Sequence, residues 1–339
     1  MLQVFGDGIS TTTNNTGGPA NLYYGKRYSN GRVWVEVLAQ RQGLTPYPTN
    51  NWSYFFNSST TMMANVSSFQ APSGVNMSNI LFVIWVNCAD LWFPATYSGT
   101  IMNQWTNAIN QSQTNHYKAA TNLYARGART LIMPNAVDIS TIPEFNNSVN
   151  ANFIHQRCLD YNVAFSNTLN RIRASCPNLM LYEPDFFTLL TNMLAYAANY
   201  GLTNTLCDGV SIDAIDAAYC DSYTYPIAVT NGYGTNYIFW NIDNPTAMVH
   251  AWMANLTQQL ISPVQISNIT SLNGSNQLVM ANVPIGQNGL VLGRTNLILG
   301  SWTTNASFIS SNATQSVFVT PSGPQWFYRL SFPYSWTWP

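Results

Sequence analysis

The chain has 339 residues, a net charge of −1 and only 7% Asp, Glu, Lys and Arg, where ordinary soluble domains carry roughly a quarter. So few cations leave no basic stripe for nucleic acid, and 46% hydrophobic residues exclude wholesale disorder. No apolar run reaches the roughly 18 residues a membrane-spanning helix needs.

Val4-Phe5-Gly6-Asp7-Gly8-Ile9-Ser10 reads as a short buried strand running into a glycine-flanked turn. A polar, Gly-rich loop follows to residue 30, and Val33–Ala39 begins a helix that reaches Gly43. After a Pro/Asn/aromatic loop, a helix covers 58–70, and Ile80–Val86 is apolar throughout, as a parallel strand buried on both faces requires. Residues 100–127 carry Ile101, Trp105, Ile109, Tyr117 and Leu123 at roughly helical spacing. Thr130–Met133 is the next strand, 150–174 a helix stopped before Pro177, Leu179–Tyr182 a strand and 185–200 a helix. A long aromatic-rich insertion, 202–236, precedes the apolar run Tyr237-Ile238-Phe239-Trp240, and a last helix spans 246–261.

Strand and helix alternating over 260 residues predict an α/β fold, a doubly wound parallel sheet flanked by helices. At Ser262-Pro263 the rhythm changes to short alternating segments, such as Gln277–Met280 and Ser316–Val319, separated by Asn-Gly and Pro-Ser-Gly turns. The expected division is therefore an α/β domain, 1–262, and a small antiparallel β-sandwich domain, 263–339.

Several phrases carry a family resemblance. Phe5-Gly6-Asp7-Gly8 and, about twenty residues on, Tyr28-Ser29-Asn30-Gly31-Arg32 resemble the opening of the GDSL, or SGNH, hydrolases. Asn51-Trp52-Ser53-Tyr54-Phe55-Phe56, Asn87-Cys88-Ala89-Asp90 and Phe239-Trp240-Asn241-Ile242-Asp243-Asn244-Pro245-Thr246 resemble the later blocks. The tail resembles the β-sandwich modules of secreted bacterial hydrolases. The resemblance implies acyl transfer by a serine, with a histidine as base, an aspartate orienting it, and backbone amides plus an asparagine holding the oxyanion.

This chain departs from that pattern at each catalytic position. Gly8 stands where the nucleophilic serine would be, Ala89 where the oxyanion asparagine would be, and Asn241 and Asn244 replace the aspartate and histidine. Phe55 and Phe56 stand in place of glycines, which narrows the approach of a substrate. An amide cannot accept and return a proton near neutral pH as imidazole does. Ser10 and His250 are the fallback pair; otherwise Ser10 is a loop hydroxyl bonding nearby backbone and His250 a structural histidine. Asp7, Gly8, Ser10, Asn51, Trp52, Asn87, Asp90, Asn241 and Asn244 are the residues expected around the cleft. With Trp240, their amides and aromatics are of the kind that bind glycans by stacking and hydrogen bonding.

Five cysteines (Cys88, Cys158, Cys176, Cys207, Cys220) form no C-x-x-C pair, so no metal site is expected. A Cys207–Cys220 bridge would close a surface loop; the others are either bridged or buried thiols. Twelve Asn-x-Ser/Thr sequons occur, as the Asn- and Thr-rich composition favours by chance. The composition, with 19 Tyr and 11 Trp, leans toward an extracellular or cell-surface protein that associates with itself or with polysaccharide. Residues 1–10 already read as a strand without a basic leader, so the chain is expected to be a mature form. The expected function is a catalytically silent hydrolase-fold protein that assembles or binds glycans, without a cofactor. The alternative is an active ester hydrolase using Ser10 and His250.

Overall fold

The computed structural model describes residues 1–12, 23–44, 48–203, 235–321, 323 and 325–333. They form two compact units, residues 1–35 with 46–253, and residues 36–45 with 254–335.

The first unit is an α/β layer structure. Strands β1 (Leu2–Gly6), β2 (Leu81–Trp85), β3 (Thr130–Ile132) and β4 (Met180–Tyr182) form one parallel sheet in the order β1-β2-β3-β4. Leu2 pairs with Leu81, Leu81 with Thr130, and Thr130 with Met180. All five residues of β1 are buried, as are Phe82 to Trp85, which is why these segments, Gln3 apart, are apolar without alternation. On the free side of β1 the chain adds only a bridge, Val4 to Asn51, with the Trp52 N–H donating to the Val4 carbonyl at 2.9 Å. The connection leaving β1 thus passes to one side of it and then returns to place β2 on the other. That reversal of winding opens a crevice at the strand's carboxyl end.

Among the described residues the helices here are α1 (Trp34–Arg41), α2 (Ser59–Ser68), α3 (Asn87–Tyr97), α4 (Met102–Ala125), α5 (Ala151–Ser175), α6 (Phe186–Ala195) and α7 (Ala247–Ile261). Helices α1 and α7 each run from the residues of the first unit into those of the second. Helix α3 is absent from the sequence expectation, because Leu91-Trp92-Phe93-Pro94 is apolar without period and Pro94 lies inside the helix. The run Tyr237–Trp240 does not extend the sheet. It makes isolated bridges, Tyr237 with Thr203 and Phe239 with Pro245, and the Trp240 N–H folds back onto the Asn244 carbonyl at 2.8 Å. Trp34, Trp85 and Phe186 are packed edge to face, with ring centroids 5.0 to 5.8 Å apart.

The second unit holds two three-stranded antiparallel sheets, β5-β6-β9 and β10-β7-β8. Their strands are β5 (Gln265–Leu272), β6 (Ser275–Ala281), β7 (Asn288–Arg294), β8 (Thr303–Ile309), β9 (Gln315–Val319) and β10 (Phe327–Ser331). Leu278 and Val319 from one sheet share a core with Val291 from the other, flanked by Phe308, Tyr328 and Leu330. This is the sandwich expected of the tail. Asn273 and Gly274 join β5 to β6 with φ of 49° and 80°, the left-handed pair a two-residue hairpin turn demands.

Cys88, Cys158 and Cys176 are buried free thiols. Cys207 and Cys220 lie outside the described residues. No helix among the described residues is long and apolar enough to cross a membrane.

Candidate functional site

Strand β1 ends in a tight turn whose geometry its sequence dictates. Asp7 caps the single helical turn Gly8–Ser10, its carboxylate accepting the Ile9 N–H at 3.1 Å. A Cβ at Gly6 would sit 2.6 Å from the Ser53 hydroxyl and 2.7 Å from the Ser10 Cβ, so only glycine fits there. Two amides clamp the turn from the side. Asn51 donates to the Ser10 carbonyl at 2.7 Å and to the Thr12 hydroxyl at 3.1 Å, and Asn57 donates to the Gly6 carbonyl at 2.6 Å.

In front of the turn lies a cleft of about 70 Å³, room for several water-sized groups. Asp7, Gly8, Asp243 and Asn244 contribute polar groups and backbone to its wall. The rest of that wall is chiefly apolar, with Phe55, Phe56, Trp92, Phe93, Ile139 and Ile142. The rings form a chain: Phe55–Phe56 centroids are 3.9 Å apart, Phe56–Trp92 5.3 Å and Trp92–Phe93 5.7 Å. Phe56 adopts φ 63°, a left-handed conformation that glycine takes easily and phenylalanine at a cost. The backbone of the second block therefore keeps a glycine-like path while carrying a ring.

At Gly8 the φ is not left-handed, so the backbone admits a side chain; the obstacle is the Phe55 ring, whose Cδ2 lies 3.1 Å from where a Cβ would be. Across the cleft, Asn244 donates to the Asn241 carboxamide oxygen at 3.1 Å. That same oxygen accepts the N–H of Asp243 at 2.9 Å and of Asn244 at 2.7 Å, while the Asn241 amide donates to the Tyr23 hydroxyl at 2.8 Å. Neither member of this hydrogen-bonded pair titrates.

Of the residues expected around the cleft, Asp7, Gly8 and Asn244 line it. Six others do not. Ser10 is fully buried, and its hydroxyl accepts the Trp34 indole N–H at 3.0 Å. Asn51 is spent on the turn, and Trp52 packs edge-on against Phe69 and tilted against Phe5. Asn87 donates to the Pro134 carbonyl at 3.0 Å, and Asp90 accepts the Ser59 N–H at 2.9 Å beneath α3. Asn241 stands behind Asn244. His250 is buried, and neither of its ring nitrogens has a hydrogen-bond partner among the described residues, so Ser10 and His250 are not joined. Trp240, buried in the interior, presents no face for a sugar. Trp92, Phe93 and Asn57 escaped the sequence reading. Had residues 87–97 been read as a helix, Trp92 and Phe93 would have fallen on the face of Ala89.

Burial sets the electrostatics. Asp7 is pushed from 3.8 up to about 7 by desolvation, against the N–H groups of Ile9 and Ala89 that hold it down, with Asp90 nearby raising it further. Asp90 is raised to about 6, again by desolvation and against the Ser112 hydroxyl and Ser59 N–H. Burial also lifts the Cys88 thiol well above its usual range, which keeps it protonated and a poor nucleophile. Burial lowers His116 to about 4 and His250 to about 3, so both are neutral at physiological pH. No cluster of His, Cys, Asp and Glu suited to a metal occurs among the described residues.

No family model matches the chain. It is similar to the thermolabile hemolysin of Vibrio parahaemolyticus serotype O3:K6 (strain RIMD 2210633), at 21% identity over 245 residues, covering 69% of this chain and 56% of that protein. The chain thus spans about half the length of this curated relative. Among solved structures it is similar to TesA, with 18% identity, TM-score 0.33 and coverage of 67% of this chain and 97% of that one. It is similar to the acetylxylan esterase Axe2 of Geobacillus stearothermophilus, with 11% identity, TM-score 0.40 and coverage of 77% and 93%. Phospholipase A1 of Streptomyces albidoflavus NA297 is a further one, with 9% identity, TM-score 0.43 and coverage of 76% and 98%. What the cleft can do chemically follows from this chain's own residues: it can bind a small apolar group, and among the described residues no hydroxyl and imidazole are paired on it for acyl transfer.

Proposed function

We propose that the protein is a catalytically silent member of the hydrolase architecture its sequence resembles, acting outside the cell, with a cleft retained for binding rather than chemistry. The observation that carries this reading is the floor of the cleft. Gly8 supplies no nucleophile there, and the Phe55 ring stands 3.1 Å from the point where a side chain would begin. The amide pair Asn241–Asn244 supports it, because it reproduces a hydrogen bond without a group that can shuttle a proton. The apolar wall favours a hydrocarbon-like occupant over a sugar, since a polyhydroxylated ring would leave hydroxyls unpaired against phenylalanines. The nearly neutral surface supports an extracellular, self-associating existence.

The test is hydrolysis of a short-chain p-nitrophenyl ester by the natural chain and by a variant carrying Gly8→Ser, Phe55→Gly, Ala89→Asn, Asn241→Asp and Asn244→His. The expected result is no turnover by the natural chain and measurable turnover by the variant. Turnover by the natural chain that Ser10→Ala abolishes would overturn the proposal and make the protein an ester hydrolase.

A further inference from the structure

Charge in the last part of the chain is unusually confined. After Asp243 there is no Asp, Glu or Lys, and the arginines are Arg294 and Arg329 alone. Both belong to the β10-β7-β8 sheet: Arg294 pairs with Phe327 and Arg329 with Leu292, which places the two side chains on one face. Val291, Tyr328 and Leu330 point the other way, into the core. The guanidinium carbons lie 4.6 Å (Arg294) and 4.5 Å (Arg329) from the centroid of the half-buried Trp302 ring. Cation–π contact holds a guanidinium by its face and leaves in-plane N–H groups free for an oxyanion. Two like charges thus share one indole, in a stretch with no carboxylate to offset them.

The loop between β7 and β8 begins at this cluster and ends at it. Arg294 donates to the Gly300 carbonyl at 3.4 Å across the loop's base. At its tip the Asn296 side chain accepts the N–H groups of Ile298 at 2.8 Å and Leu299 at 3.0 Å. That turn holds Leu297, Ile298 and Leu299 outward, 53%, 89% and 70% exposed. Three successive apolar side chains on a hydrogen-bonded tip contribute nothing to the core and stand ready to leave water.

We propose that this loop docks the protein on an anionic lipid surface. The tip Leu297–Leu299 enters the acyl region, Trp302 sits at the boundary, and Arg294 and Arg329 meet lipid phosphates. Charge complementarity selects this occupant. A soluble polyanion would engage the arginines and leave the tip in water, whereas a second copy packed face to face would cover the tip but set arginine against arginine.

The test is co-sedimentation of the full chain with vesicles of phosphatidylcholine, alone or with one third phosphatidylglycerol. The chain should bind the anionic vesicles and release them as salt approaches about 1 M, where the screening length falls to about 3 Å. Ile298→Ser should weaken binding about tenfold and Arg329→Gln about fivefold, each with an unchanged melting temperature because both residues are exposed. Three results would overturn the proposal: no binding to anionic vesicles, equal binding by either variant, or self-association removed by Ile298→Ser in the absence of vesicle binding.

Discussion

In the α/β unit Asp7, Asp90, His116 and His250 are all enclosed, and burial raises the pKa of the two carboxyls and lowers that of the two imidazoles. In the β unit Arg294 and Arg329 lie against Trp302 on the outer side of a sheet, beside a tip of exposed leucine and isoleucine. These two groups differ in role, although other charges of the first unit, such as Lys26, Arg32, Arg171 and Arg173, also lie on its surface. The four in the first unit are enclosed, where their protonation is coupled to folding, and the two arginines of the sheet are displayed, where they are available to a partner. Substitutions should therefore perturb stability strongly in one unit and barely in the other.

The largest effect is expected in the first unit. Trp34→Ala removes a fully buried ring from the Trp34–Trp85–Phe186 packing and leaves the Ser10 hydroxyl without its donor. A loss of roughly 3 to 5 kcal/mol should appear in urea unfolding. Next come the buried carboxyls. Because the folded-state pKa of Asp7 is raised from 3.8 to about 7, its stabilising contribution is present below pH 4 and is lost as pH rises through 7. Asp7→Asn should remove that fall and gain roughly 3 to 4 kcal/mol relative to the natural chain between pH 4 and pH 8. His250 has the opposite sign. Its pKa is lowered to about 3, so its contribution is present above 6.5 and is lost as pH falls toward 3, a decline that His250→Phe should abolish. If both variants kept the natural pH profile, the enclosure of charge in this unit would not be coupled to folding.

A smaller effect, about 1 to 2 kcal/mol, is expected for Asn241→Ala, which strips three donors of one acceptor and removes one donor to the Tyr23 hydroxyl. Calorimetry should find that much and no more. The smallest is Ile298→Ser in the β unit, within about 0.5 kcal/mol. A large destabilisation there would mean that the tip packs against something and would erase the contrast between the units.

The α/β frame was legible because parallel strands buried on both faces are largely apolar, as Leu81–Trp85 is throughout and Leu2–Phe5 is apart from Gln3. The β unit was legible through Asn273-Gly274, where turn chemistry is local. Helix α3 was not, since Pro94 and an unbroken apolar run conceal its period. Two residues at the cleft were legible in the sequence, and its aromatic walls were not. Gly8 and Asn244 stand in a readable phrase, and the structure puts both at the cleft. Whether Ser10, Asn51 or Asn87 faces inward or outward depends on acceptors far away in sequence, such as the Pro134 carbonyl that takes Asn87. No local pattern reports such a partner.

Phe56, with its φ of 63°, bears on the ease with which this lineage could change course. A non-glycine residue in that conformation forgoes about 1 to 2 kcal/mol, while glycine loses roughly 0.5 to 1 kcal/mol through its greater freedom when unfolded. Replacing Phe56 with glycine therefore relieves backbone strain that offsets part of the lost ring contacts with Phe55, Trp92 and Phe93, and it widens the mouth of the cleft without touching the sheet behind it. On the proposed reading, the entrance is therefore no stability barrier to acyl transfer; the barrier lies at the floor of the cleft, where Gly8 carries no hydroxyl and the Phe55 ring stands 3.1 Å from the point where a side chain would begin.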